Sequence, residues 1–190
     1  NNKISEHIML LLASKKIPTH FIKRINDREQ MIKKCEIIPI EFVVRNIASG
    51  SICSRLGIKD GLKLKKPLLE YYLKEDSLDD PIVSRDHLEL FGWATKREIA
   101  KIDQMSLKIN QCLINHFKKK GITLVDFKIE FGRLSSNKKK IVLADEISPD
   151  SCRLWDSKSK TKLDKDVFRK GIGNLIDAYE EVASRLGIVH

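Results

Sequence analysis

"LVDFKIEFG", residues 124–132, alternates apolar with charged residues, and the fold turns on how it is read. Successive side chains of a strand leave on opposite sides. Val125, Phe127, Ile129 and Phe131 therefore share one face, and Asp126, Lys128 and Glu130 share the other. The apolar face predicts packing on a core. The charged face is either an ordinary wetted surface or the floor of a site.

A second strand is predicted at 141–147, after the polar loop "GRLSSNKKK". If the two strands pair as a hairpin, a slip of one residue flips every side chain. The register that sets Asp145 opposite Lys128 keeps a carboxylate off the hydrophobic face, where burial is costly. Glu130 and Asp126 then lie diagonally, roughly 7–8 Å away. The expectation is a compact field of Asp126, Glu130 and Asp145 around Lys128, suited to Mg²⁺ with substrate phosphates. In the plainer alternative, Lys128 simply neutralises the acids.

Outward from this strand the elements are mixed. Ile4, Ile8, Leu11 and Leu12 form one helical stripe over 4–14, and "IPTHFIKRI" reads as extended. The stretch 37–44, "IIPIEFVV", is a strand with Pro39 at its entry or on a sheet edge. Thr95 and Glu98 have capping-box spacing ahead of a helix carrying Ile99, Ile102, Ile109, Leu113 and Phe117, which Gly121 stops. A last helix spans 172–186, with Leu175, Ile176, Tyr179, Val182, Ala183 and Leu186 as its apolar side. Helices and strands do not alternate strictly, so an α+β fold with an antiparallel sheet is predicted.

Composition narrows the function classes. With 42% apolar and 33% charged residues in 190, the chain has the makings of a globular core. No apolar run approaches the roughly 20 residues that span a bilayer, and "NNKISEHIML" is unlike a secretory signal. A cytoplasmic protein is expected. Cys35, Cys53, Cys112 and Cys152 are scattered without metal-finger spacing, which fits free thiols in a reducing compartment. The net charge of +10 favours anionic ligands. Its basic runs, Lys118–Lys120 at a helix end and Lys138–Lys140 in a loop, lack interleaved aromatics, so no nucleic-acid partner is expected. Neither G-x-x-x-x-G-K-[ST] nor G-x-G-x-x-G occurs.

Three further stretches offer chemistry. In "IIPIEFVVRNIASGS", residues 37–51, a strand delivers Arg45, Gly50 permits close backbone approach, and Ser51 suits the N-cap of a short helix. The set reads equally as a phosphate site or a plain capped helix. In "LKEDSLDDPIV", residues 73–83, Lys74 precedes Asp76, Asp79 and Asp80, most of which read as turn and cap residues; His87 reads as structural. Lys165 and Arg169 in "KLDKDVFRKG" share a helix face, which is either an anion site or a solvated turn.

"IIPIEFVVRNIASGS" and "LVDFKIEFG" closely resemble the two signature segments of the SAICAR synthetase family of purine biosynthesis. The likeness continues through "NNKISEHI", "IPTHFIKR", "KEDSLDDPIVSRDHLELFGWAT", "LADEISPDSCRLWD" and "KLDKDVFRK", in order along essentially the whole chain. The resemblance implies a two-lobe fold related to kinase and ATP-grasp architectures. It also implies an ATP-dependent ligase that joins carboxyaminoimidazole ribonucleotide to L-aspartate, through an acyl phosphate, with ATP and Mg²⁺. A kinase-like small-molecule phosphotransferase is the alternative.

By the same resemblance Glu130 and Asp145 hold Mg²⁺, and Lys74 and Lys128 contact phosphate and carboxylate groups. Arg45, Ser51, Arg153 and Arg169 hold the ribonucleotide. Asp126 binds ribose hydroxyls or orients Lys128. Asp80 and Lys165 are candidates for the aspartate region, and Glu36 and Ile37 adjoin the adenine. Small-molecule partners are implied, with no nucleic acid and no membrane, and a homodimer is left open. The family implies a β-rich segment with a glycine-containing loop ahead of residue 1. Residues 1–36 are then the remnant of a nucleotide-binding lobe and 37–190 a C-terminal α+β domain, and a fragment of this extent is expected to be inactive or weakly active.

Overall fold

The computed structural model describes residues 1–188. The opening helix α1 (Asn2–Ser14) buries Ile4, Ile8 and Leu12 of the expected stripe, with Met9 beside them. Strands β1 (Phe21–Arg24) and β2 (Gln30–Ile32) form a small antiparallel sheet of their own. Pro39 splits the next predicted strand into β3 (Cys35–Ile37) and β4 (Ile40–Ile47), as a residue without a backbone N–H does inside a sheet. It therefore stands at the entry of β4, which is an interior strand.

After the six-residue helix α2 (Ser51–Leu56) come β5 (Lys63–Leu73), a 3-10 turn at Asp76–Leu78 and β6 (Ile82–Val83). Helix α3 (Arg85–Leu90) starts at a capping box of Ser84 and His87, which gives His87 its structural role. The long helix α4 (Lys96–Lys118) starts at the expected capping box of Thr95 and Glu98. It buries Ile99, Ile102, Ile109, Leu113 and Phe117 in one continuous core with Phe42, Phe127, Ile129 and Phe131. Each such side chain removed from water contributes about 1.5–3 kcal/mol. That core also includes Ile4, Ile8 and Leu12, so α1 and the main sheet share it.

The centre of the seven-stranded antiparallel sheet is β7 (Ile122–Leu134), which contains the opening stretch. It pairs with β3 at Gly132–Leu134, with β4 at Asp126–Ile129, with β8 (Asn137–Ala144) at Glu130–Leu134 and with β9 (Cys152–Asp156) at Ile122–Phe127. The changes of partner fall around residues 128–131. A bulge between Leu124 and Asp126 interrupts the alternation. Ile122 and Leu124 join the main core cluster before it, Phe127, Ile129 and Phe131 after it, and Val125 is fully buried outside that cluster.

Two expectations for the hairpin fail. The polar loop is only a tight turn, and Lys138–Lys140 belong to β8. The register is one residue away from that expected: Glu130 faces Ala144 and Phe131 faces Leu143. Asp145 is not opposite Lys128, because the ladder ends at Ala144 and Asp145 turns away with a left-handed φ of 58°. The carboxylate that argued against this register never enters the hydrophobic face. Short helix α5 (Asp166–Arg169) and α6 (Leu175–Leu186) close the chain. On α6 the buried residues are Ala178, Val182 and Leu186, and Ile176 is exposed, so the apolar side is narrower than predicted.

Candidate functional site

The charged face of β7 is divided among four partner side chains, and no single field surrounds Lys128. Asp126 lies opposite Arg45 on β4 and Arg153 on β9. It accepts hydrogen bonds from Arg45 Nη1 at 2.9 Å and from Arg153 Nη1 at 3.0 and 3.1 Å. Lys128 pairs with Glu41 of β4. Both carboxylate oxygens of Glu130 accept from Lys74 Nζ, at 2.7 and 2.9 Å. Asp126 therefore orients two arginines and does not touch Lys128, because the bulge and the neighbouring strands set its partners.

One pocket gathers Arg45, Ser51, Asp126, Lys128, Arg153 and Arg169. Arg45 is only 2% exposed, and all five guanidinium donors are used. Nε donates to Glu70 at 2.6 Å, Nη1 to Ser49 O and Asp126, and Nη2 to Ser51 Oγ and Tyr72 Oη. It underlies the pocket and leaves no unfilled fork. Ser51 is not the N-cap of α2 as expected. Gly50 holds that place with φ 68°, and Ser51 Oγ instead accepts from Arg45. The glycine is required twice over, since a Cβ there would meet Arg153 Cζ at 2.7 Å and also press on Nη2. Arg153 is further held by Asp166, which accepts from its Nε at 3.2 Å, while Asp166 also accepts from Arg169 Nη1 at 3.2 Å. Arg169 is half exposed at the pocket mouth. Burial pushes the Asp126 carboxyl up, and the charges of Arg153 and Arg45 pull it back.

A second pocket is lined by His20, Ile37, Lys74, Glu130, Asp145 and Glu146, among others. Burial pushes the Glu130 carboxyl up, the hydrogen bond from Lys74 opposes this, and the negative charge of Asp145 adds to it. Burial also raises Glu146. Burial works against the Lys74 ammonium, but its hydrogen bond and ion pair with Glu130 raise its pKa overall. At its rim Cys35 packs so closely on β7 that a Cβ at Gly132 would stand 2.8 Å from the Cys35 sulfur.

Three expected site residues lie outside both pockets. Glu36 pairs with Arg133 and Lys138. Asp80 accepts a hydrogen bond from the Glu75 N–H at 2.9 Å and belongs to the turn. Lys165 reaches Asp150, a pocket residue, at 3.7 Å without lining the pocket itself. The sequence reading passed over Glu41, Glu70, Tyr72, Arg55 and Asp166. Glu41 carried a signal, since it is a lone charge inside the apolar run "IIPIEFVV".

Fixed guanidiniums and buried, lysine-paired carboxylates thus share one antiparallel α+β scaffold. Residues 1–186 match the SAICAR synthetase family. The phosphoribosylaminoimidazole-succinocarboxamide synthase of Pelagibacter ubique (strain HTCC1062) is 59% identical over 191 aligned positions, covering 100% of this chain and 74% of that protein. The crystal structure of the synthase from Ehrlichia chaffeensis superposes with a TM-score of 0.98 at 49% identity, covering 100% of this chain and 81% of that one. A SAICAR synthetase solved in complex with ADP gives a TM-score of 0.94 at 44% identity, with coverage of 98% and 78%. The chain belongs to the SAICAR synthetase family, and it is an ATP-dependent ligase of purine biosynthesis that joins carboxyaminoimidazole ribonucleotide to L-aspartate. Among the described residues no helix is long and apolar enough to cross a membrane.

Proposed function

We propose that the two pockets divide the ligation between them: the arginine pocket holds the ribonucleotide, and the Lys74–Glu130 pocket holds the reacting end of ATP. The observation that carries this is the separation of charge along β7, where Asp126 fixes Arg45 and Arg153 while Glu130 fixes Lys74. A relative solved with ADP bound supports nucleotide use. In this reading residues 1–36 contribute to the nucleotide lobe and 37–190 carry the substrate domain. Ile37 borders the adenine, with Glu36 beside it in the chain.

The donor set fits Mg²⁺. Glu130 and Asp145 are hard oxygen ligands sharing one pocket. Such an ion takes one or two carboxylates and completes its shell with phosphates and water. Glu130 and Asp145 would hold it, and when bound it supplies charge neutralisation at the phosphates.

The residues of the chain do the rest. Ser51, Arg153 and Arg169 take the ribonucleotide phosphate, with Arg45 as fixed positive charge beneath Ser51. Asp126 keeps Arg45 and Arg153 aimed and adjoins the ribose. Lys128, which lines the arginine pocket, and Lys74, which lines the acidic one, take the substrate carboxylate and the γ-phosphoryl group. The carboxylate oxygen bonds to that phosphorus as the bond to ADP breaks, giving an acyl phosphate. The aspartate amine then attacks the acyl carbon, loses a proton and expels phosphate. The two ammonium groups offset the negative charge that would otherwise keep the carboxylate from the phosphoryl group. Lys165 and Asp80, outside both pockets, are kept as candidates for the aspartate region.

The deciding experiment is steady-state kinetics of the full-length enzyme carrying Arg153→Ala or Lys74→Ala, with KM for the ribonucleotide and for ATP measured separately. A loss confined to the ribonucleotide in the first and to ATP in the second supports the division, and losses shared by both substrates in either variant overturn it. The same reading gives small-molecule partners in the cytoplasm, and sedimentation separates monomer from homodimer.

A further inference from the structure

The six-residue helix α2 carries Ser51, yet little in the helix itself holds it in place. It has no side-chain cap, and Ile52 is its one buried residue. A helix this short is not stable alone. What fastens it is Arg55 in its last turn. Arg55 Nη2 pairs with Glu70 Oε1, and Nη1 donates to Tyr72 Oη at 2.9 Å. Glu70, with its side chain 7% exposed, also accepts from Arg45 Nε at 2.6 Å and from the Tyr72 hydroxyl at 3.0 Å. The Tyr72 oxygen in turn accepts from Arg45 Nη2 at 3.2 Å.

Tyr72 gives one hydrogen bond and accepts two, and both Glu70 oxygens are filled, while Arg55 reaches them from the exposed side through Nη1 and Nη2. Satisfied polar groups of this kind stiffen the elements they join. Ser51 Oγ, at its pocket end, accepts from Arg45 Nη2. Its own proton has no acceptor among the described residues.

We infer that Arg55, Glu70 and Tyr72 are positioning residues: they lock α2 to β5 so that Ser51, backed by Arg45, presents its hydroxyl to the phosphate of the phosphorylated substrate. The inference rests on the arginine pocket taking that phosphate. Loss of a hydrogen bond to a charged group is worth about 1.5–3 kcal/mol, so the effect should be roughly tenfold or more.

The test is steady-state kinetics of the full-length enzyme, with KM for the ribonucleotide, KM for ATP and kcat measured separately. Arg55→Ala should raise the ribonucleotide KM about tenfold and leave KM for ATP and kcat within about twofold. Arg55→Lys keeps the charge without the fork and should recover only part of the loss. Tyr72→Phe removes one hydroxyl, keeps the ring and should give a smaller rise of the same kind, which guards against an Arg55 variant that fails to fold. Because the clamp acts through Ser51, the double variant Arg55→Ala/Ser51→Ala should be no worse than Ser51→Ala alone.

The inference is overturned by an unchanged ribonucleotide KM in both Arg55→Ala and Tyr72→Phe, by losses spread equally over both substrates and kcat, or by effects that multiply in the double variant. If Ser51→Ala itself leaves the ribonucleotide KM unchanged, the phosphate reading of the pocket fails and takes the inference with it. A working Ser51 effect with silent Arg55 and Tyr72 overturns the clamp alone.

Discussion

The two pockets along β7 are built on opposite principles. In the arginine pocket the cations are saturated by carboxylates of the protein: Arg45 by Glu70 and Asp126, and Arg153 by Asp126 and Asp166. That fixes where each guanidinium points before a ligand arrives, so little reorganisation remains for binding. In the acidic pocket a half-exposed lysine is the one charged partner of Glu130, and Asp145 has no ion pair within 4 Å among the described residues. Its carboxylates are under-neutralised, which suits a cation that comes and goes. One strand supplies both because its bulge and its changes of partner send successive charged residues to different neighbours.

The contrast is broken most severely at Glu130. Glu130→Gln removes a buried charge whose partner Lys74 is half exposed and can turn to water, so the fold should survive. Turnover should fall roughly 10²- to 10³-fold, the scale of several kcal/mol of lost charge stabilisation. Near-normal turnover at an unchanged melting temperature would remove Glu130 from the reacting centre. Gly50→Ala strikes the other pocket. Its Cβ would collide with the Arg153 guanidinium, and an L side chain at φ 68° adds about 1 kcal/mol of strain. The ribonucleotide KM should rise about tenfold while the ATP KM holds; a rise shared by both substrates would mean that the pockets are not independent.

The smallest effect belongs to an ion pair outside both pockets. Hydrogen bonds from Arg133 hold Glu98 down at about 2, well below its ordinary value of 4.5. A depressed carboxyl stabilises the fold fully above its unfolded value and loses that contribution as pH falls from about 4.5 toward 2. Urea unfolding should therefore show Glu98→Gln less stable by about 1 kcal/mol at neutral pH, with a flatter decline below pH 4.5. An equally steep acid limb in the variant would assign the pH dependence to other carboxylates.

Much of the scaffold was legible because its signals are local. The capping box at Thr95 and Glu98, the α4 stripe and the Pro39 break each depend on residues within a turn or two of one another. The clustering of Arg45, Ser51, Arg153 and Arg169 was also anticipated, through the family resemblance of their segments. What escaped was pairwise and long-range. Glu70 and Tyr72 look like ordinary alternation on β5 until Arg45 and Arg55 arrive from elsewhere in the chain.

The sequence by itself determined the α+β class, the family, and the residue types that line the arginine pocket. It did not determine how β7 and β8 meet. The four residues Ile141 to Ala144 are all buried, so alternation carried no parity, and the residue used to choose a register, Asp145, lies one step past the ladder. Only the tertiary structure could decide it. A left-handed turn at Asp145 makes the rejected register free of a buried carboxylate, and the bulge and changes of partner along β7 divide "LVDFKIEFG" between an arginine pocket and an acidic one.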